Sequence, residues 1–554
     1  MGLNHQHLRM IARALALYAP VWAAALLAHS ASLKSGFVFD DNRLLLENAY
    51  VKEFGGLKTL LTHSLFSTTP FPFEGTYYRP VSSLSYWLTW QLFKDNAALH
   101  HAVNIVLHAM VASLLLRTLA AYGVRSAIAR IVAILFAVHP VTAEIVDYIG
   151  GRQDLLGWAI TLACLSQLPR MKRTTSIAIL SCAGTVLALF CREFFATAAM
   201  LFVIGSAVRP DDHSQTRSRL AASAAGACAG IGIDMALRHA FDIPRIPFRE
   251  LITANTPRVL WGTGSRLLKI VFWPSDVVSG TSIHPQPAMF ALLTLLPLAV
   301  LAFLVWRLRR RSLCLMGMAG SATIVLSILL PLYIAETEWV LGDRYGYETL
   351  VGVALLAGAW AEQFASTVTI RLPSAMVRRF VWAAPFLIAV AVIPLTRGRA
   401  FCYTDDEVLA ECDALTRPHD ALVLLRRSHQ LQGSGQIDRA FPYCAAYLER
   451  APERRLHVAD CIGNYMLLHD RAAMAVPFLR DVAYARPRWI QSRSTYFLAL
   501  ALAGDYDGAD REIGKWKRRF PNAADLDASA REVQLVKSGK KIPLSYAGLR
   551  RASR

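Results

Sequence analysis

Residues 12–42 read ARALALYAPVWAAALLAHSA followed by SLKSGFVFDDN, and this stretch decides the architecture. Its first part, Ala12 to Ala31, is apolar over the ~20 residues needed to cross a bilayer. Arg9 and Arg13 precede it and favour a cytoplasmic N-terminus. Two adjacent carboxylates, Asp40 and Asp41, follow shortly beyond, beside Phe37 and Phe39, aromatic side chains suited to a membrane interface. An acid pair so placed lies at the outer membrane surface. A carboxylate there can take a proton from a soluble acceptor while meeting a lipid-linked donor. The small residues from Ala28 to Ala31 also mimic a signal-peptidase site. We read the segment as an uncleaved anchor, and Asp40 lies outside on either reading.

The rest of the chain agrees with a membrane setting. Of 554 residues, 54% are hydrophobic and 18% charged, and the mean hydropathy is +0.35. That profile fits a polytopic membrane protein with a soluble part attached. A net charge of +19 would suit nucleic acid, but the bases sit in short turns between apolar runs. Examples are Arg125 with Arg130, Arg170 with Lys172 and Arg173, Arg307 with Arg309 to Arg311, and Arg371 with Arg378 and Arg379. Such clusters mark cytoplasmic loops, so the charge reports topology and no nucleic-acid partner is expected. The nine cysteines contain no C-x-x-C pair, which leaves a zinc ribbon or thioredoxin motif unsupported. Cys402, Cys412, Cys444 and Cys461 lie in the polar C-terminal part, where disulfides are permitted if that part is extracytoplasmic. Their pairing is left open.

Taking each basic cluster as cytoplasmic predicts an α fold. A polytopic helical membrane domain of about eleven spans occupies 1–396, with a long first outer loop over 31–97 and an interfacial segment over 241–286. Within that segment, Val259 to Trp273 interleaves apolar positions with Arg266 and Lys269 and reads as an interfacial helix. An odd number of spans carries the tail outward: N-terminus cytoplasmic, residues 397–554 periplasmic, lumenal or extracellular. In this tail Pro418, Pro452, Pro487 and Pro521 recur at intervals of 34, 35 and 34 residues. That is the tetratricopeptide period with its closing proline. Turns at Gly433-Ser434-Gly435 and Gly504-Asp505 divide the text into helix pairs, so the tail reads as a soluble tetratricopeptide-like α-solenoid.

The candidate chemistry gathers on the outer side of this threading. Beyond Asp40 and Asp41 come Tyr78-Arg79-Pro80 and His100-His101-x-x-Asn104-x-x-x-His108. Then follow His139-Pro140-Val141-Thr142-Ala143-Glu144, Gly151-Arg152-Gln153-Asp154, Arg192-Glu193 and Asp343-Arg344-Tyr345. Charged groups near lipid are costly and are retained for pairing or function. Plainer readings exist for each: hydrogen bonds between helices for His101, Asn104 and His108, and ion pairs for Glu144 with Arg152, Arg192 with Glu193, and Asp343 with Arg344. The common sidedness is the specific signal. Arginine forks there suit a lipid-linked phosphate, to which they donate several charge-assisted hydrogen bonds.

Taken together, these strings, with Phe39-Asp40-Asp41-Asn42 and a downstream Asn48, resemble the transmembrane and tetratricopeptide-repeat-containing O-mannosyltransferase family, part of the C superfamily of glycosyltransferases. The chain departs from it at Arg192-Glu193, commonly Lys-Glu, at Arg152-Gln153-Asp154, commonly Arg-Ala-Asp, and near Asp343 to Tyr347, commonly Glu-Arg-Tyr-Leu-Tyr. The resemblance implies a glycosyltransferase C-like membrane enzyme. It would move a sugar, mannose among the candidates, from a polyprenyl-phosphate carrier to a hydroxyl, foremost Ser or Thr of an exported protein. It implies Asp40 as general base with Asp41 second, and Arg79, Arg152, Arg192 and Arg344 as donor-phosphate contacts. His139, Glu144, His101 and Asn104 would bind the acceptor or orient the base. No cofactor or metal is required, and a divalent ion between Asp41 and Glu144 is left open. The partners would be the lipid-linked donor, membrane lipids and a protein acceptor recruited by the repeats. Two other readings stand beside it: a transporter or flippase of a lipid-linked or acidic solute, and a membrane-anchored repeat scaffold. Missing internal symmetry tells against the first, one-sided charge against the second.

Overall fold

The computed structural model describes residues 5–68, 77–208, 215–243, 256–274, 281–282, 295–329, 340–368, 375–485, 490–520 and 524–540. Pro487, Pro521 and much of the 241–286 segment therefore lie outside the described residues. Among those described the chain is α-helical, apart from a two-residue antiparallel ladder pairing Thr281–Ser282 with Val340–Leu341. It forms two compact units, residues 1–409 and 410–554. The helix Ala375–Phe401 runs unbroken through 396/397, where the composition changes, so the division falls later in the chain than the compositional break.

Among the described residues of the first unit five helices are long and apolar enough to cross a membrane: Leu15–Lys34, Ala97–Ala121, Thr216–Ala240, Arg311–Leu329 and Ala383–Phe401. A bent pair, Ser126–Ala137 with Pro140–Val146, turns by 56° and would make a sixth. The chain is thus a membrane protein. The expected count of about eleven spans is not reached among the described residues, because several intervening apolar helices are too short. Arg152–Gln167 and Thr174–Leu189 have 16 residues each and Ala196–Ser206 has 11, against the ~20 a straight crossing needs.

The helix Ala97–Ala121 is the hub. Apolar residues surround it except where His101, Asn104 and His108 interrupt them, the pattern of a helix enclosed by others. Ile105, Ala112, Leu115, Leu116 and Leu119 are buried in a core shared with the first helix, Ser126–Ala137, Arg152–Gln167 and Tyr345–Val368. Small residues set the closest approach elsewhere. The helix Thr216–Ala240 lies on Thr174–Leu189, and a Cβ at Gly226 would stand 2.1 Å from the carbonyl oxygen of Ala178. Close backbone contact of this kind is how helices associate in lipid.

The helix Thr256–Phe272 is packed on Tyr345–Val368 and Arg311–Leu329. Leu267 and Ile270 are fully buried with Val141 and Tyr345. Arg266 is buried too, its Nε donating to Asp343 Oδ1 at 2.9 Å. The arginine that looked like a water-facing charge points inward because a carboxylate neutralises it there.

The second unit is a run of helices, Ala421–Gly433, Ile437–Arg450, Ala459–Leu468, Ala472–Ala485, Ile490–Leu502, Tyr506–Arg519 and Ala524–Lys537, each packed on the next. A turn motif repeats along it. Left-handed residues occur at Gly435, Asp470, Gly504 and Gly539. The amide just after each, at Gln436, Arg471, Asp505 and Lys540, donates back to the carbonyls of Leu431, Met466, Leu500 and Leu535 at 2.8–3.1 Å. These are helix-ending bonds of the Schellman kind, which satisfy carbonyls the helix leaves over. Cys444 and Cys461 form a disulfide bond across 17 residues of sequence.

Candidate active site

The acid loop between the first span and the next helices is held in one conformation. Asp41 is fully buried. Its Oδ1 accepts from Gly150 N at 2.7 Å, and its Oδ2 from Val38 N at 3.2 Å and Ile149 N at 3.4 Å. Burial pushes this carboxyl up to about 8; the three amides pull the other way and the neighbouring Asp40 adds to the rise. Asp41 therefore staples the loop to the 148–151 turn and presents no free oxygen to a substrate.

Asp40 is the partly open member of the pair. Its Oδ2 accepts from the Tyr148 hydroxyl at 3.3 Å. Burial, with the charges of Asp40 and Asp41, holds the Tyr148 phenol well above its ordinary value, so it stays a donor. Phe39, immediately before, has φ +56, the left-handed region that is uncommon for a bulky residue. His101 supports the loop from beneath, its Nε2 donating to Gly36 O at 3.0 Å, which fixes the proton on that nitrogen. Asn104, one turn on, donates from Nδ2 to the carbonyls of Val146, Tyr148 and Ile149 at 3.0–3.4 Å. Both residues reach Asp40 only through the backbone they hold.

The arginines fall into two groups. Arg152 is sealed inside. Its Nε donates to Asn104 Oδ1 at 2.9 Å, Nη1 to Thr89 Oγ1 at 2.7 Å, and Nη2 to His100 O at 3.1 Å. Its guanidinium lies 5.3 Å from the Tyr86 ring centre, and the residue has no exposed surface. Expected as a phosphate contact, Arg152 is committed to structure instead. His139 likewise has both ring nitrogens engaged: Nδ1 accepts from Val141 N at 3.2 Å and Nε2 donates to Val271 O at 2.8 Å. It joins the 140–146 turn to the helix Thr256–Phe272 and is not placed to touch an acceptor.

Arg79, Arg192 and Arg344 form the other group. Arg79 donates to Glu193 Oε2 at 2.8 and 2.6 Å and also to Gln153, and lies 4.6 Å from the Tyr77 ring. Arg192 pairs with Asp154, has Glu348 Oε1 at 3.7 Å, and covers the Tyr345 ring at 4.9 Å. Arg344 Nε is buried with no hydrogen-bond partner among the described residues. Burial opposes its charge, but Glu144, Tyr345 and Tyr148 hold it firmly protonated, with Arg192 nearby pulling the other way. Tyr148, bonded to Asp40, is thus within charge range of Arg344, and Arg344 within charge range of Arg192. A carboxylate and a set of guanidinium groups are brought into one electrostatic neighbourhood.

Several members had no sequence signal pointing to this site. Tyr148 and Glu348 carry no motif of their own. Asp147 is fully buried against His29, with Oδ2 2.9 Å from its Nδ1; Arg238, on the helix Thr216–Ala240, has Glu193 Oε1 at 3.5 Å. Glu144 is 3% exposed and lies within charge range of Arg344. No group of three or more His, Cys, Asp or Glu side chains is placed to hold a metal among the described residues.

A helical membrane unit with an acid loop beside an arginine cluster is the class this geometry defines. No family model matches the chain. Curated proteins do match part of it. It is 34% identical over 144 residues to protein O-mannosyl-transferase TMTC3 of Mus musculus, covering 26% of this chain and 15% of that protein. The Homo sapiens TMTC3 is 33% identical over 144 residues, with the same 26% and 15% coverage. Protein O-mannosyl-transferase Tmtc1 of Drosophila melanogaster is 34% identical over 188 residues, covering 32% and 21%. The chain spans 15–21% of the length of these relatives. The resemblance to the transmembrane and tetratricopeptide-repeat-containing O-mannosyltransferase family is borne out over that stretch.

Proposed function

We propose that this protein is a membrane glycosyltransferase that moves a sugar, mannose foremost, from a polyprenyl-phosphate carrier to a Ser or Thr hydroxyl of an exported protein. The observation that carries the reading is the Tyr148 hydroxyl, bonded to Asp40 at 3.3 Å and within charge range of Arg344. In the proposed reaction the acceptor oxygen attacks the anomeric carbon and gives its proton to Asp40. The bond from that carbon to the phosphate oxygen breaks, and the carrier leaves as a polyprenyl phosphate. A positioned base of this sort contributes about 10²–10⁴-fold. Arg344, with Arg192 and Arg79 behind it, would stabilise the charge that grows on the leaving phosphate.

An apolar cavity supports the lipid-linked donor. About 540 Å³ in volume, it lies between the helices Thr256–Phe272, Leu295–Trp306, Arg311–Leu329 and Tyr345–Val368, and is walled by Trp261, Phe272, Leu304 and Trp360. Two further wall residues, Leu260 and Ile328, also pack against the buried cluster that contains Tyr345, the ring beneath Arg192. The volume is in the range of a small-molecule pocket, and its lining suits a prenyl chain. The names of the relatives, protein O-mannosyl-transferases, favour mannose and a protein acceptor. We place the N-terminus in the cytoplasm and the tail outside with Asp40. The Cys444–Cys461 disulfide agrees with an oxidising compartment. The tail's recurring turns agree with a tetratricopeptide-like solenoid, whose concave face would hold the acceptor near the site.

The test is reconstitution in vesicles with a mannosyl polyprenyl phosphate and a Ser/Thr-rich peptide, read by mass spectrometry. The proposal expects hexose on the peptide and free polyprenyl phosphate in equal amounts. Movement of the intact carrier across the bilayer with no transfer would replace the enzyme with the transporter.

A further inference from the structure

The acid loop is clamped on a second side, by the segment that ends the last long helix of the first unit. Arg397 Nη1 donates to Leu27 O at 2.8 Å and Ser30 Oγ at 2.7 Å, tying that segment to the end of the first span. Gly36 N donates to Thr404 O at 2.8 Å. Two residues on, Asp406 accepts from Phe39 N on Oδ1 at 2.7 Å and from Asn42 Nδ2 on Oδ2 at 3.3 Å. One carboxylate therefore brackets Phe39 to Asn42, the stretch that contains Asp40. It grips the single left-handed residue there, Phe39 with φ +56. A phenylalanine relaxes from that region unless its surroundings hold it. The direction in which Asp40 leaves the backbone depends on the Phe39 conformation, because the two share a peptide unit.

We propose that Asp406 is a positioning residue for the transfer reaction: by fixing Phe39 in the left-handed conformation it aims Asp40 at the acceptor. It touches neither substrate nor reacting atom. The contact joins residues 367 apart in sequence, so a catalytic loop near the start of the chain is set by a residue at the end of the membrane unit. Asp406 opens the helix Asp406–Thr416, and whatever fixes or loosens that helix start changes the base's aim. The proposal rests on Asp40 acting as the base.

Four variants of the protein in vesicles test it: Asp406→Ala, Asp406→Asn, Asp40→Asn and the Asp40→Asn, Asp406→Ala double, each with its thermal midpoint and its kcat and KM for donor and peptide. Misaiming a reacting group costs about 10–100-fold, so Asp406→Ala is expected to lower kcat by that much with donor KM unchanged. Asn keeps one acceptor oxygen for Phe39 N, and Asp406→Asn should recover part of the loss. In the Asp40→Asn background, Asp406→Ala should lower the residual rate no further. Wild-type kcat in a folded Asp406→Ala protein overturns the proposal, as does a further loss in the Asp40→Asn background. If Asp406→Ala does not fold, a wild-type midpoint with wild-type kcat and acceptor KM in Asp406→Lys, which cannot accept from Phe39 N, overturns it. An active Asp40→Asn protein instead removes the base assignment itself, whatever Asp406 does.

Discussion

Two polar networks built from the same residue types lie side by side in the membrane unit and are finished differently. Around Asn104 and Arg152 the amide nitrogen and all three guanidinium nitrogens donate to acceptors, and Arg152 has no exposed surface. Around Arg344 and Arg192 the charges are gathered but incompletely answered: Arg344 Nε is buried without a hydrogen-bond partner among the described residues, and Arg79 pairs with a Glu193 whose side chain is 34% exposed. A buried polar network that is fully satisfied specifies a fold. One left partly unsatisfied carries a cost that folding alone does not explain, and an anionic substrate would relieve it. The difference teaches where structure ends and chemistry begins, although both networks contain motif arginines.

Replacing Arg152 should break the first network and not the second. Hydrogen bonds to charged groups contribute ~1.5–3 kcal/mol each, so Arg152→Ala should destabilise the protein by at least about 3 kcal/mol, seen as loss of folded protein in detergent. A folded Arg152→Ala protein with only a raised donor KM would move Arg152 into the substrate site. Arg344→Gln should do the reverse, keeping the melting temperature close to wild type and lowering kcat by about 10²–10³-fold.

The smallest effect concerns Asp41, which links the two networks through the 148–151 turn. Its folded value near 8 lies above the ordinary carboxyl value of 3.8, so between those limits the folded state holds a proton that the unfolded chain has released. Its stabilising contribution is full below about pH 4 and is lost as the pH rises through 8. Thermal midpoints should decline over that window, and Asp41→Asn should flatten the decline. An unchanged pH slope in that variant would assign the effect to other groups.

Much of this contrast was written in the sequence, and part of it was not. The first span and its acid pair, the polar face of Ala97–Ala121 and the Asp343-Arg344-Tyr345 string all stand on local patterns. Spacing also exposed the periodicity of the tail, where helix-ending turns recur along the unit. Spacing does not show which way a side chain turns. Arg152 and Arg344 look alike in the text, and only packing decides that one is sealed by Thr89, Asn104 and the His100 carbonyl. Arg266 was misread for the same reason: its partner Asp343 is 77 residues away. Asp406 was invisible because its role comes from a contact with Phe39 across almost the whole membrane unit. The full span count is not reached among the described residues, where helices of 11 to 16 residues stand at some of the expected crossings.

The central claim is that Asp40, and not its buried neighbour, takes the acceptor proton. Asp40→Asn keeps the size of the side chain and an oxygen for the Tyr148 hydroxyl but removes the base. Single-turnover transfer from a mannosyl polyprenyl phosphate to a Ser/Thr peptide, measured beside carrier binding, tests this most directly. The account predicts carrier affinity within about twofold of wild type and a transfer rate lower by at least ~10². Transfer at the wild-type rate in a correctly inserted Asp40→Asn protein would contradict it.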